Sequence, residues 1–202
     1  MKLYYLPGAC SLASNIALRE AGLPFELVKL NRHTRKAADG LDYQEVNPKD
    51  YVPALALDNG EVLTENVAVL QYIADRNPAA RLAPAAGTME RYRLMEWLSF
   101  INSEVHKSFT PLFRADAPED TKQYARNNLA TRLGYLERLW GARNFLMGGQ
   151  YTVADPYLYT VLSWGTHVKV DLGQWPALVR FVERVGARPA TIAARKAEGL
   201  EK

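Results

Sequence analysis

The strongest constraint on the fold is a change in the spacing of apolar residues partway along the chain. The first thirty residues contain a short apolar run at 2–6, a helical pattern at 11–21 and another apolar run at 25–30. A strand, a helix and a strand within so few residues form a βαβ unit, whose two strands pair in parallel. After Thr88 only helical periodicity remains. The sequence therefore predicts an α/β domain followed by an all-helical domain.

The middle of the first domain predicts two further strands and a helix. Residues 52–57 are apolar, Asp58-Asn59-Gly60 is typical of a hairpin turn, and 61–63 supplies the partner strand. Thr64 is placed to cap a helix that runs to about Arg76. The predicted order is therefore βαβ, an irregular segment, ββ and α.

The boundary between the two domains is expected in a stretch rich in proline, glycine and alanine. Residues 79–87 carry little periodicity and are interpreted as a linker between domains 1–78 and 88–202. In the second domain, apolar side chains recur at helical spacing and are interpreted as core. These side chains form three stripes: Leu94, Leu98, Ile101 and Val105; Leu129, Leu133, Leu136 and Trp140; and Trp175, Leu178, Val179, Val182 and Val185.

Composition and charge narrow the range of partners. Apolar residues make up 48% of the chain, and 25 basic against 22 acidic residues give a net charge of +3. So small and evenly spread an excess argues against a nucleic-acid or membrane partner. The apolar start of the sequence is broken at Pro7-Gly8, so we expect no secretory signal, and no apolar run reaches about 20 residues, the length that crosses a bilayer. We therefore expect a soluble cytoplasmic protein.

The single cysteine lies where the first strand ends and the first helix begins. Unpaired N–H groups and the positive end of the helix dipole at that place stabilise a thiolate, so the pKa of Cys10 is expected to lie below that of a free cysteine. A redox pair would have its second cysteine at position 13, where this chain has Ala13. A reactive Cys10 must therefore engage an external thiol, and the abundant cytoplasmic one is glutathione.

Two other interpretations of this region stay open. Cys10 can also be a buried, inert thiol, since free cysteine is among the most buried residue types. Tyr4 or Tyr5 can supply a hydroxyl to a thiolate, but consecutive strand residues point to opposite faces, so at most one of them does so directly.

Two segments of the first domain are candidates for binding a peptide. Pro53 has no N–H, and a cis bond to it would leave the preceding backbone free to pair with a peptide, although X–Pro bonds are mostly trans. The helix that begins at 64–66 can hold a carboxylate on its N–H groups, while Glu65 can pair with an ammonium group. Plain helix capping is the alternative.

A polar face on the helix after Thr88 is a further candidate. Ser99, Asn102, Ser103 and His106 share helical spacing and lie apart from the apolar stripe. They can line a ligand cleft or simply face solvent. No cluster of His, Cys, Asp or Glu has metal-ligand spacing, and the sequence contains no glycine-rich phosphate loop.

One motif is interpreted as structural. Thr152 and Asp155 have the spacing of a capping box, with Thr152 as N-cap and Asp155 reaching back to it. The helix that follows, from Pro156 to about Thr166, is apolar nearly all round and is expected at the centre of the helical domain.

Taken together, these segments resemble the bacterial Beta-class glutathione S-transferases. The similarity runs over essentially the whole chain and is carried by MKLYYLPGACSLA, VPAL followed by LTEN, EVHKSFTPLF, YTVADPYLY and WPALVRFVERVGARPA. It implies a thioredoxin-like N-terminal domain, an all-helical C-terminal domain that contributes the electrophile site, and a homodimer. It also implies conjugation of glutathione, as co-substrate, to small hydrophobic electrophiles, with no metal.

The resemblance implies roles for four residues near the sulfur. In the family, a cysteine at the position of Cys10 contacts the glutathione sulfur and can form a mixed disulfide with it. Ser11 would contribute at the helix start. The residues that match His106 and Lys107 line the cleft near the cysteine, and His106 is a catalytic candidate beside Cys10.

The rest of the tripeptide would be held elsewhere. Val52, before a cis-proline at Pro53, pairs with the cysteinyl backbone in the family. Glu65 and Asn66 hold the γ-glutamyl head, which a residue matching Ser103 approaches from the other subunit.

The glycyl carboxylate would meet Arg35 or Lys36, and the sequence leaves both open. The family commonly has Ser or Thr where this chain has Asn66, whose amide can still donate to a carboxylate. It often has Asn where this chain has Ser99, which argues against a cross-subunit role for that residue.

Two alternative functions remain. The chain can be a glutathione-dependent thiol reductase or peroxidase that works through a Cys10–glutathione disulfide, or a non-enzymatic ligand-binding member of the same fold. The electrophile stays unidentified, because apolar candidates for its pocket, such as Phe109, Phe113 and Tyr157, can equally be core.

Overall fold

The computed structural model describes residues 1–201 and divides into two compact units. The first comprises Met1–Ala83 together with the segment from Arg188 onwards, and the second comprises Pro84–Ala187. The last helix of the chain thus belongs to the α/β unit. The predicted boundaries, 1–78 and 88–202 around a linker, stay a prediction.

The first unit contains a mixed sheet and the helices that cover it. Its elements are β1 Lys2–Tyr5, α1 Ser11–Glu20, β2 Glu26–Lys29, α2 Tyr43–Val46, β3 Ala54–Ala56, β4 Val62–Thr64, α3 Asn66–Arg76, a 3₁₀ turn at Pro78–Ala80, and α10 Pro189–Glu198. The strand order is β2-β1-β3-β4. β1 pairs with β2 in parallel and with β3 antiparallel, and β3 pairs antiparallel with β4. The predicted βαβ unit and hairpin are confirmed, and the unit is thioredoxin-like.

Helix α1 is buried along most of its length because it packs against both α3 and α10. Leu12 and Ile16 of α1 and Leu70 and Ile73 of α3 are at most 1% exposed. Burial of each such side chain contributes about 1.5–3 kcal/mol. The N-terminal end of α1, which carries the cysteine, is therefore anchored to a rigid core.

The second unit is helical. Its elements are α4 Met89–Phe100, a π-helical segment Ile101–His106, α5 Lys107–Phe113, α6 Glu119–Trp140, α7 Ala154–Ser163, α8 Gly165–Val168, a 3₁₀ turn at Leu172–Gln174, and α9 Pro176–Gly186. α7 packs against α4 and α9, and it is buried from Ala154 to Leu162. The predicted central helix is confirmed, although it ends at Ser163 instead of about Thr166.

The apolar stripes are core, as predicted. The first two are at most 4% exposed along their whole length. In the third, Leu178 and Val185 are fully buried, while Trp175, Val179 and Val182 are half-buried at its edge.

Two predicted helix caps are wrong. Thr64 pairs with Ala54 as the last residue of β4, so α3 begins at Asn66 with Glu65 as its N-cap. Thr152 lies one residue too early, because the N-cap of α7 is Val153. Thr64 cannot act as the cap because the β3–β4 hairpin already pairs it with Ala54.

Asp155 keeps its predicted structural role, and its side chain reaches back to Thr152 as expected. Its buried carboxylate accepts the N–H groups of Thr152 at 2.7 Å and Leu146 at 2.9 Å, and the Thr152 hydroxyl at 3.3 Å. Asp155 N–H donates to the Thr152 carbonyl at 3.0 Å, so it does not need the threonine hydroxyl. The carboxylate therefore ties the 145–148 loop to the start of α7.

Candidate functional site

The turn between β1 and α1 places the sulfur. Gly8 has φ of +70°, a conformation that glycine adopts at little cost, and Ala9 N–H closes the turn on the Leu6 carbonyl at 3.0 Å. Cys10 is then the N-cap of α1, and its thiol donates to the Val52 carbonyl at 3.0 Å. The half-buried sulfur thus lies between a helix N-terminus and the loop that leads into β3.

That loop presents the backbone of Val52. The Val52–Pro53 peptide bond is cis, as the family resemblance implies. The Tyr51 carbonyl accepts the Tyr43 hydroxyl and the Asn47 amide, both at 2.7 Å. Within residues 1–201, the Val52 N–H donates no hydrogen bond. The loop is therefore held through the carbonyls of Tyr51 and Val52, while the Val52 N–H can donate to a ligand.

Glu65 and Lys49 form an exposed ion pair beside the same loop. Glu65 has φ of +69°, in a region that costs a non-glycine residue about 1–3 kcal/mol. Its carboxylate is 2.6 Å from the ammonium group of Lys49. Sequence reasoning missed Lys49, whose only signal is its place after the Asn47-Pro48 turn.

Asn66 is turned into the protein. It is 5% exposed, its amide Nδ2 donates to the Cys10 carbonyl at 3.2 Å, and its Oδ1 accepts the Ser14 hydroxyl at 2.7 Å. These bonds join the start of α3 to the start of α1. The amide expected to donate to a ligand is engaged with Cys10, so the backbone N–H is the group that Asn66 can offer.

Side chains of Ser11 and Glu198 also hold the turn before Cys10. The buried Ser11 hydroxyl lies 3.4 Å from both the N–H and the carbonyl of Leu6. The carboxylate of Glu198, on α10, accepts the Gly8 N–H at 2.9 Å and the Asn15 amide at 3.0 Å. Burial raises the pKa of Glu198, and the two hydrogen bonds and the charge of Arg19 oppose this.

Arg35 is the half-buried member of the basic cluster, whereas Lys36 is exposed. The Arg35 guanidinium donates from Nε to the Asp50 carboxylate at 2.8 Å and also contacts the Asp50 carbonyl. It lies over the ring of Tyr43, whose pKa is raised to about 12, mainly by burial. Arg35 is thus positioned by two neighbours that sequence reasoning did not name.

In the second unit, His106 ends the π-helical segment and joins a half-buried chain of hydrogen bonds around the buried Tyr157. Its Nδ1 lies 2.8 Å from the Tyr157 hydroxyl, which donates to Asn102 Oδ1 at 3.0 Å. The ring of Trp164 packs against the imidazole, with centroids 4.9 Å apart. Burial, and then the charge of Lys107, lower the pKa of His106 to about 4. The imidazole is therefore neutral at neutral pH.

The predicted polar face is divided by this segment. Ser99 and Ser103 are exposed, and the Ser103 hydroxyl donates to the Ser99 carbonyl at 3.0 Å. Asn102 and His106 instead meet at Tyr157. Sequence reasoning treated Tyr157 as a pocket or core residue and missed this contact.

Two kinds of feature are absent from residues 1–201. No group of three or more His, Cys, Asp or Glu side chains there can hold a metal ion. Over the same part of the chain, no helix has the length and apolarity needed to cross a membrane.

Family models match most of the chain. The glutathione S-transferase N-terminal domain matches residues 8–76, and the C-terminal domain of the same family matches residues 100–189. The first match contains Cys10, Val52 and Glu65, and the second contains Ser103 and His106.

Known proteins resemble the chain from end to end. Glutathione S-transferase GstA of Escherichia coli O157:H7 is 45% identical over 201 residues, which cover 100% of both chains. A solved ternary complex of BphK, a bacterial GST, is 53% identical, covers 99% of this chain and 100% of its own, and has a TM-score of 0.98. A bacterial beta-class glutathione S-transferase from Sphingomonas chungbukensis is 48% identical over 100% of both chains, with a TM-score of 0.96. The chain therefore belongs to the glutathione S-transferase family, in its bacterial Beta class.

Proposed function

We propose that this glutathione transferase binds glutathione along its first unit with the tripeptide sulfur beside Cys10, and transfers that sulfur to small hydrophobic electrophiles. The observation that carries the proposal is the Cys10 thiol at the N-terminus of α1, 3.0 Å from the Val52 carbonyl. The thiol thus lies beside the backbone edge to which we assign the peptide.

The backbone of Val52 is the proposed contact for the cysteinyl residue of glutathione. An extended peptide that pairs with a free edge gains main-chain hydrogen bonds. Val52 offers an unpaired N–H within residues 1–201 and a carbonyl that now accepts the Cys10 thiol. Binding would exchange that thiol contact for the N–H of the tripeptide.

The start of α3 is the proposed site for the γ-glutamyl head group. The α-carboxylate would accept the backbone N–H of Asn66 at the positive end of the helix dipole. The α-ammonium would pair with the Glu65 carboxylate, which is exposed and now holds Lys49. Ser103 of a second copy is proposed to approach this head group, Ser11 to support the turn below the sulfur, and Arg35 or Lys36 to meet the glycyl carboxylate.

Conjugation requires the glutathione sulfur to attack an electrophilic carbon. A sulfur–carbon bond forms, and the thiol proton is lost to a base or to solvent. The leaving group of the electrophile departs with its electron pair, or an activated double bond takes up a proton. Much of the rate gain comes from holding the two reactants close together. We propose that His106 takes part beside the sulfur as a neutral imidazole, with Lys107 as its charged neighbour, and that the helical unit contributes the electrophile site.

A second reaction is available to Cys10 itself. Its thiolate can attack the glutathionyl sulfur of a mixed disulfide between glutathione and another thiol, so that a Cys10–glutathione disulfide forms and the other thiolate leaves. With a peroxide, the thiolate attacks one peroxide oxygen, water or an alcohol leaves, and glutathione then displaces water from the resulting sulfenic acid to give the same disulfide. In either case another glutathione thiolate regenerates Cys10 and releases glutathione disulfide. The position of Cys10 at a helix N-terminus favours this thiol reductase or peroxidase activity as the second candidate.

Mass spectrometry of the intact protein after incubation with glutathione disulfide tests the cysteine chemistry. We expect one glutathionyl adduct on Cys10, and none in Cys10→Ser, which has no thiol. Parallel assays of conjugation and disulfide reduction then separate the candidates, since loss of only the second activity in Cys10→Ser assigns conjugation to the bound glutathione alone. An unmodified wild-type protein would refute a reactive Cys10. Retention on immobilised glutathione without turnover of any electrophile would instead indicate a ligand-binding protein.

We also propose that the protein is a homodimer of the cytoplasm. Three large apolar side chains of α4 are exposed, Met89, Tyr92 and Met95. Other residues of the same helix, among them Trp97, line a cavity of about 520 Å³ together with Tyr135 of α6. Exposed apolar surface of this kind is typical of protein interfaces. Light scattering is expected to give twice the 22.7 kDa chain mass, and Tyr92→Asp to lower it.

A further inference from the structure

The chain of hydrogen bonds through Tyr157 constrains the protons of His106. Tyr157 is fully buried, and its oxygen contacts both His106 Nδ1, at 2.8 Å, and Asn102 Oδ1, at 3.0 Å. A phenol has one proton to donate, and an amide oxygen only accepts. The phenol proton therefore belongs to the contact with Asn102.

The direction of the other contact follows. Since the Tyr157 proton is used on Asn102, His106 must donate the bond that joins it to Tyr157, and Nδ1 carries the hydrogen. A neutral imidazole has one N–H, so Nε2 holds a lone pair. Within residues 1–201, Nε2 has no hydrogen-bond partner.

We propose that Tyr157 and Asn102 are positioning residues that fix His106 as its Nδ1–H tautomer and so make Nε2 the acceptor for a sulfhydryl proton. This inference rests on the proposed function, in which His106 acts beside the glutathione sulfur. A thiol S–H donates a hydrogen bond to Nε2, which orients the sulfur before its proton is lost. In the opposite tautomer, Nε2–H is itself a donor and cannot accept that proton.

The packing around the ring holds the geometry. Trp164 packs on the imidazole in an edge arrangement, and the Tyr157 ring does the same at a centroid distance of 5.9 Å. Because burial also keeps the imidazole neutral, its hydrogen-bonding pattern is set by the tautomer alone.

Nitrogen-15 NMR of the histidine rings in the ligand-free protein tests the tautomer without any use of glutathione. The chain has three histidines, and His106→Gln assigns the signals of His106. Near neutral pH we expect a protonated Nδ1 and a non-protonated Nε2. A protonated Nε2 in the wild-type protein would overturn the inference, whatever the fate of the proposed function.

Two variants change the tautomer in different ways. Asn102→Ala frees the phenol proton to donate to Nδ1, so the signals are expected to switch to the Nε2–H form. Tyr157→Phe removes the constraint, so both forms are expected. Tyr157 is buried, so Tyr157→Phe can fail to fold. Asn102 is partly exposed, so Asn102→Ala is expected to fold and still tests the inference. Unchanged signals in a folded Asn102→Ala would contradict the assigned role.

Kinetic measurements distinguish a role in positioning His106 from a role in stabilising the fold. Each variant is expected to lower kcat by up to roughly tenfold, the size of one hydrogen bond, with KM for glutathione nearly unchanged. In a His106→Ala background neither change should lower kcat further, since both act through His106. Tyr159→Phe is the matched control, because it removes a hydroxyl from the same helix on the side that faces Gly186. Equal losses with and without His106 would refute positioning and indicate a structural role.

Discussion

The two units hold their candidate functional groups in different ways. In the first, Cys10, Val52 and Glu65 lie at the ends of elements and present a thiol, a backbone edge and an exposed carboxylate. In the second, His106 lies inside a continuous helical run and is fixed by the fully buried Tyr157. One site is built at turns on the edge of a core, and the other on a half-buried side chain held by a fully buried phenol.

Because of this difference, substitutions in the two places are expected to affect different properties, ligand binding in one and stability in the other. An exposed group at a turn can change with little effect on the packing beneath it. A polar group in a buried chain of hydrogen bonds cannot, because its removal leaves its partners without bonds. We therefore expect variants of the turn residues to alter mainly binding, and variants of the buried polar groups to alter stability as well.

The largest expected effect is in the second unit, at Asp155. Asp155→Ala leaves two backbone N–H groups and one hydroxyl without their acceptor in a fully buried place. We expect a loss of about 3–5 kcal/mol in the free energy of unfolding, measured by urea denaturation. The control is Asp171→Ala, because Asp171 caps an exposed turn through Gly173 N–H and should cost about 1 kcal/mol. Equal losses in the two variants would contradict the view that the buried acceptor matters more to stability than the exposed one.

The next effect is the acid sensitivity caused by His106. Burial lowers the pKa of His106 to about 4 from 6.5, so the unfolded chain binds a proton more readily than the folded one. Stability from the neutral ring is present above pH 6.5 and is lost as pH falls towards 4. We expect this loss to reach roughly 3 kcal/mol.

Urea denaturation at a series of pH values measures this loss of stability with acid. The wild-type curve should fall more steeply with acid than that of His106→Gln, which lacks the titrating group. His33→Gln removes an exposed histidine and should follow the wild type. Parallel curves for wild type and His106→Gln would mean that His106 is not held neutral by burial.

Much of the fold was predictable because it is encoded locally. The strand–helix–strand pattern of the first thirty residues fixes the β1–β2 pairing, and the apolar stripes identify the core of the second unit. The position of Cys10 at the N-terminus of α1 was predictable for the same reason, since a turn signal and a helix start flank it directly. These features depend on residues a few positions apart.

The polar network was not predictable from spacing. Regular 3.6-residue periodicity placed Ser103 and His106 on one face, but the π-helical segment Ile101–His106 widens the turn and rotates the positions that follow. Tyr157, which pairs with His106, is 51 residues away in the sequence. Lys49 and Asp50 were missed similarly, because a loop without periodicity gives no signal of the partner that each side chain meets.

Glu198 shows that the first unit also contains a buried polar group. Glu198→Gln removes one of the two oxygens that accept Gly8 N–H and the Asn15 amide, and is expected to cost about 1 kcal/mol. Burial raises the pKa of the Glu198 carboxyl, so the folded state favours its protonated form. The wild-type contribution is therefore largest at low pH and is lost as pH rises through the folded pKa.

The cost of Glu198→Gln should consequently shrink as the pH rises, in urea denaturation at several pH values. The exposed Glu201→Gln is the matched control from the same end of the chain and should cost nothing measurable. A cost that grows with pH would mean that the hydrogen bonds, rather than burial, dominate the environment of this carboxylate.

The smallest expected effect is at the exposed pair of Lys49 and Glu65, whose side chains are 49% and 62% exposed. Lys49→Ala should change the free energy of unfolding by under about 1 kcal/mol. If Glu65 takes the glutathione ammonium group, removal of its competitor should tighten binding of S-methylglutathione by roughly two- to threefold, measured by calorimetry. Arg93→Ala, which breaks an exposed pair with Glu96 in the second unit, should change neither quantity. A large loss of affinity in Lys49→Ala would show that Lys49 is itself a glutathione ligand, because a competing cation cannot weaken binding by its absence.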